Sequence, residues 1–192
     1  TGIDELLILG VGDRGTREQE RFRLVIGLGA TGVVADRRRH RHKAFGYQRE
    51  SLVDRVELSR LYLGWLTPRL YQPGDAALDV ASYVLASGKN SRLYKRLVYD
   101  TQMVQDVYAY QHSSALGGSF LVVATARPGK AIANIQTIID EEIDRLRREP
   151  PDERELERAK NQIEASFYRQ MERVGGFSGK AEQLNAYFDY AG

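Results

Sequence analysis

The chain has 192 residues, 42% of them hydrophobic, which suits one or two domains with a real core. Its 28 basic and 26 acidic residues leave a formal net charge of +2, so composition gives no case for nucleic acid or an anionic membrane as the main partner. Cysteine is absent, which excludes a disulfide framework and a thiolate metal site.

No apolar run approaches the roughly 18 residues of a membrane span. The opening "TGIDELLILGVGDRG" has neither an initiating Met nor a basic leader, and it reads as the start of a fragment or a processed chain. The compartment stays open: periplasm or cytoplasm would both suit a cysteine-free bacterial chain. Residues 1–50 show little periodicity apart from a strand expected at Leu6 to Leu9, and they end in the basic cluster "DRRRHRHK".

After residue 50 each segment shows a clear period. "DRVELSRLYLGWLTP" (Asp54 to Pro68) is rich in β-formers and reads as a strand. Asp75 then reads as the N-cap of a helix whose face is Ala77, Val80, Ala81, Val84 and Leu85, with Gly88 as its stop. "SRLYKRLVYDTQ" is a second helix capped by Asn90 or Ser91, with Leu93 and Leu97 on one face.

"VQDVYAYQHS" and "GSFLVVATA" form a strand pair. In the second strand Phe120, Val122 and Ala124 alternate with Leu121, Val123 and Thr125. Two long helices follow. Ile132, Ile135, Ile139, Ile143 and Leu146 line the first. The second opens with the capping box Asp152/Glu155, carries Leu156, Ala159, Ile163 and Phe167, and ends or bends at Gly175-Gly176. The order predicts an α+β fold, an antiparallel sheet with helices packed on one face.

Several chemical motifs are weak. "GVGDRG" (Gly10 to Gly15) and "GLGATG" (Gly27 to Gly32) fit the dinucleotide pattern, but neither is followed by a helical period. Nucleotide binding is therefore the least favoured function. His40 and His42 sit among Arg and Lys, whose charge opposes a dication, and His112 stands alone in a strand. Glu141, Glu142, Asp144, Asp152, Glu153, Glu155 and Glu157 interleave with arginines at helical spacing, the pattern of an exposed, mutually paired face. No catalytic, metal-binding or cofactor-binding residue emerges.

From about Ser51 to Gly192 the chain resembles the second, non-zinc domain of the pitrilysin/insulinase zinc metallopeptidases, including the processing-peptidase-like members. The resemblance rests on "DRVELSRLYLGWLTP", "SRLYKRLVYDTQMVQDVYAY", "GGSFLVVATARPG" and "PDERELERAKNQIEASF". It implies a domain at residues 51–192, truncated at both ends, after a poorly matching segment at 1–50. It also implies a parent built of two related halves around a chamber, in which an H-x-x-E-H domain holds zinc and hydrolyses unfolded peptide. The partners implied are that upstream catalytic domain and a second homologous half, with no nucleic acid.

One half of such enzymes can supply an Arg and a Tyr, seven positions apart, that grip the substrate and steady the oxyanion. On this resemblance those positions hold Val98 and Gln105, so no substrate-binding residue is assigned. A shift of two or three positions would instead offer Arg96 with Tyr108 or Tyr110. The chain is thus expected to be a non-catalytic domain of a zinc-bearing half, inactive alone and free of zinc itself. The alternative is an inactive structural or assembly subunit of the same family.

Overall fold

A computed structural model describes residues 4–10, 48–54, 57–176 and 179–191. Five strands, β1 (Asp4–Gly10), β2 (Gln48–Asp54), β3 (Arg60–Thr67), β4 (Val104–Ser113) and β5 (Gly118–Ala126), form one sheet in the order β2-β1-β3-β5-β4. β1 runs parallel to β3, and the other neighbours are antiparallel. The helices are α1 (Asp75–Ala86), α2 (Arg92–Tyr94) running into a π-helical turn (Lys95–Asp100), α3 (Ile132–Arg148), α4 (Glu153–Met171) and α5 (Lys180–Ala191). The α+β architecture with helices on one sheet face stands.

The alternation of β3, β4 and β5 decides what each face buries. Leu61 and Leu63 of β3, Val107 of β4, and Phe120, Val122 and Ala124 of β5 share one core with Leu85, Leu93, Leu97, Ile135 and Ile139 from the helices. α1 lies against β4, α3 against β3 and β5, and α4 packs on α1. As expected, Ile135 and Ile139 are buried; Ile143 is half-buried at the margin.

Four details differ from the sequence reading. The expected strand from Asp54 to Pro68 is shorter, because Asp54 is the last residue of the separate strand β2 and the chain bends at Glu57 and Leu58 before β3 begins at Arg60. Asp75 is not the N-cap. Gly74 takes that position at φ 97°, and buried Asp75 instead accepts hydrogen bonds from the Tyr71 backbone N–H (3.0 Å), Gln111 Nε2 (3.2 Å) and the Ser113 hydroxyl. This carboxylate ties the approach to α1 to β4, which a cap pattern does not reveal.

Helix α2 contains a wider turn. The Thr101 N–H reaches the Arg96 carbonyl, five residues back, at 3.0 Å, and Gln102 leaves the helix at φ 48°. Finally, α5 follows the Gly175-Gly176 break. It folds back so that Lys180 N–H meets the Arg173 carbonyl (2.9 Å) and Gln183 Nε2 meets Gln170 Oε1 (2.8 Å).

Candidate functional site

The two positions matched to the substrate-gripping pair lie in different surroundings. Val98 sits on the π-helical turn and is buried in the core, only 8% exposed. Gln105 is exposed at the start of β4. Val104 pairs with Ala126 and Asp106 with Thr125, so Gln105 is the extra residue of a β-bulge. A valine methyl cannot donate a hydrogen bond, and an amide has no phenol.

The shifted alternative is dispersed as well. Arg96 donates from Nη1 to Glu142 Oε1 at 2.9 Å and from Nη2 to Glu141, which binds it to α3 on the helix side. Its charge is further secured by these bonds, although burial acts against it. Tyr108 and Tyr110 alternate with Val107 and Ala109 of the core, so they stand on the opposite sheet face. Arg96 and the tyrosines therefore form no pair.

The acidic stretch also needs correction. Arg147–Asp144 and Arg145–Glu149 are exposed intrahelical pairs, as the spacing suggests. Glu142 is not part of an exposed face: it is 3% exposed and bonded across to Arg96. Arg92 likewise crosses to α4, where its Nε and Nη2 donate to Glu155 Oε1 and Oε2 at 2.9 and 2.6 Å. These ions clamp α2 to α3 and α4, and they have no acid or base to spare for chemistry.

The most distinctive surface is the sheet face opposite the helices. Register places Tyr62, Val123 and Tyr108 in one row, with Gly64, Leu121 and Tyr110 in the next. Tyr108 and Tyr110 stack with ring centroids 6.3 Å apart and 19° between planes, each about two-fifths exposed. Val123 is fully buried on this face, beside the flanking tyrosines. Desolvation is the main reason the phenols of Tyr108 and Tyr110 titrate above their ordinary value, so both remain neutral O–H groups at neutral pH.

At the end of this face lie Asp106, Thr125 and Arg60 in one row. Asp106 Oδ1 and Thr125 Oγ1 are dry and have no hydrogen-bond partner among the described residues. The guanidinium of Arg60 approaches the Tyr62 hydroxyl at 3.5 Å, and this contact is the main reason its pKa is raised. Aromatics recurring every second residue in "VYAY" were the available signal for this surface.

Zinc does not fit the described residues. A catalytic zinc needs three protein ligands, and among the described residues no three His, Asp or Glu side chains converge. His112 is exposed on β4, and the best-buried glutamate, Glu142, is committed to Arg96. His40 and His42 and the Gly-rich matches lie outside the described residues, except Gly10 at the end of β1. Among the described residues no helix is long and apolar enough to cross a membrane.

Comparisons with known proteins bear on the fold and the family. The profile of the Peptidase M16 inactive domain matches residues 34–163. No curated protein matches the sequence. Among solved structures, a protease from Helicobacter pylori is similar at TM-score 0.63 and 24% identity, over 72% of this chain and 33% of that one. The inactive peptidase domain of a candidate zinc protease from Bordetella parapertussis gives 0.55 and 21%, over 67% and 66%. A peptidase M16 inactive domain from Pseudomonas fluorescens gives 0.50 and 19%, over 56% and 26%.

These identities support the fold, and the chain spans about a third of the H. pylori protease. The profile covers more than half of the chain and supplies the family. The chain belongs to the Peptidase M16 inactive domain family, and is a non-catalytic domain of that kind.

Proposed function

We propose that this domain comes from the zinc-bearing half of its parent peptidase, where it walls the substrate chamber and supports an upstream H-x-x-E-H domain. Residues 51–192 would form the bulk of that domain, with β1 and the start of β2 from the N-terminal segment completing its sheet. The observation that carries the reading is the pair Val98 and Gln105: Val98 is a core side chain with no donor, and Gln105 brings an exposed amide on a bulge where the pair has a phenol, so the joint Arg and Tyr grip is absent. A half with its own zinc does not need that pair. In the parent, zinc on the companion domain would activate water for hydrolysis of an unfolded peptide, and the described residues of this chain would hold no part of that site.

The tyrosine face suits a wall. Tyr62, Tyr108 and Tyr110 give a broad surface of hydroxyls over apolar rings, able to meet varied peptide backbone. The second homologous half would close the chamber from the other side.

The test pairs zinc calorimetry with cleavage of a quenched fluorescent peptide, with and without a chelator. The chain alone should bind no zinc stoichiometrically and cleave nothing, and joining the upstream domain in one polypeptide should give chelator-sensitive cleavage. Tight zinc binding and turnover by the chain alone would overturn the reading. Silence of the joined protein would favour the structural or assembly subunit.

A further inference from the structure

Among the described residues that β3, β4 and β5 turn away from the helices, Arg60 is the one Arg or Lys. It is exposed, and among the described side chains no carboxylate forms an ion pair with it. Arg92 and Arg96, by contrast, are both held by glutamates. The Nη1 of Arg60 reaches the Tyr62 hydroxyl at 3.5 Å, longer than the usual bond of this kind, so the contact satisfies little of the guanidinium.

Phenols and apolar rings surround that cation. Tyr62 follows on the same face of β3, and Tyr108 lies near enough for its phenol and the guanidinium to influence each other's titration. A phenol O–H can turn toward an anion as a further donor. One and two rows on, the stacked rings of Tyr108 and Tyr110 are each about two-fifths exposed and supply apolar area. Rows on one sheet face repeat about every 7 Å, which is also the spacing of alternate side chains in an extended peptide. Asp106 shares the row of Arg60 but stands two strands away, across Thr125. Its Oδ1 is closed to solvent, so it offers a basic ligand less than Arg60 offers an acidic one.

We propose that Arg60 is a specificity-determining residue of the tyrosine face, selecting unfolded peptides that carry an Asp or Glu two residues from an aromatic or large aliphatic side chain. The apolar side chain lies on the rings of Tyr108 and Tyr110. The carboxylate takes N–H groups of Arg60, with the Tyr62 hydroxyl as a further donor. An amide in that place loses the ionic part of the bond, and a Lys or Arg meets like charge. The inference rests on the reading of this face as the chamber wall and names the peptides that the wall prefers.

The experiment follows the Tyr108 ring resonances of the intact chain by NMR at low, constant ionic strength. The titrants are N-acetyl-Phe-Ala-Glu-amide, its Phe-Ala-Gln and Phe-Ala-Lys counterparts, and glutarate. The Glu peptide should bind about fivefold more tightly than the Gln peptide, the scale of an exposed ion pair, and the Lys peptide most weakly. Added salt should shrink that difference. Arg60→Gln should level the three peptides while the ring shifts persist, and Tyr110→Ala should weaken all three. Equal affinities in wild type, or a Glu preference that survives Arg60→Gln, would overturn the role of Arg60 and leave the wall standing. Binding of glutarate as tight as that of the Glu peptide would overturn the peptide as the source of the carboxylate. No saturable shift with any peptide, or shifts that Tyr110→Ala does not weaken, would overturn the wall reading and this inference with it.

Discussion

Glu155 accepts both edge N–H groups of Arg92 while completing the capping box of its own helix, with Asp152 Oδ1 receiving the Glu155 N–H at 2.7 Å. One carboxylate thus starts α4 and fastens it to α2, 63 residues earlier in the chain. The Arg92 hydrogen bonds are the main reason its pKa lies below the ordinary glutamate value of 4.5.

A carboxylate with a lowered folded pKa stabilises the fold above its unfolded pKa and loses that contribution as pH falls through the folded value. Glu155→Gln should therefore cost about 1–3 kcal/mol near neutral pH, the scale of leaving a largely buried charged donor underpaired. The gap to wild type should narrow as pH falls below 4.5. Urea denaturation at stepped pH measures it, and a gap that stays constant to the lowest pH would show that the bond does not act through ionised Glu155.

Asp79 gives the opposite sign. Although the residue is exposed on α1, its carboxyl is pushed up to about 6, first by partial desolvation and then by the Asp75 carboxylate one turn earlier. A raised folded pKa means stability that is complete below the unfolded value of 3.8 and is lost as pH rises through 6. Asp79→Asn should raise the thermal midpoint above pH 6 and leave it unchanged near pH 4. A stabilisation of equal size at both ends would point to a cause other than this charge.

Ile139 is fully buried between α3 and the sheet. Ile139→Ala should cost about 2–5 kcal/mol in a denaturation series. A loss below about half a kcal/mol, well under the range for emptying such a site, would mean that α3 does not seat this face on the core.

Val98 and Gln105 should respond unequally to restoration of the gripping pair. Val98→Arg forces a longer, charged side chain into the core beneath the π-helical turn and should destabilise by about 1–3 kcal/mol through overpacking alone. Gln105→Tyr, on an exposed bulge, should be within about half a kcal/mol of wild type. Melting curves of the two variants decide it; a tolerated Arg at 98 would show that the position opens to solvent.

Legibility in the sequence followed periodicity. α3 buries the core of its expected stripe, β5 is apolar on both faces, and the Asp152/Glu155 box is a local pattern, so each could be read directly. The stripes expected on α1 and α4 are buried only in part: Ala77 is exposed at the start of α1, and in α4 only Ala159 is buried while Phe167 is exposed. β2 could not be read, because "QRESLVD" is an edge strand with polar residues where a central strand would show a core face. α5 gave no stripe: Leu184 and Phe188 are 69% and 78% exposed, so no packed face selects its pattern. The roles of Asp75 and Glu142 depend on residues distant in sequence, and spacing along one helix carries no trace of them.

The widened turn at Lys95–Asp100 works as a phase adjustment in the backbone. An α-helix advances each residue by about 100°, so one extra residue in a turn resets the direction in which everything after it departs. Here the reset delivers the Met103 N–H to the Leu97 carbonyl at 2.9 Å and starts β4 with Val104 fully buried. Because strand side chains alternate with a period of two, a one-residue error at this point would exchange the two faces of β4. Val107 would turn to solvent, and the tyrosines would be driven among the helices. The turn and the Gln105 bulge that follows it together fix which side of the sheet carries the aromatic surface, because without the bulge a period of two from Val104 would place Tyr108 and Tyr110 on the buried face.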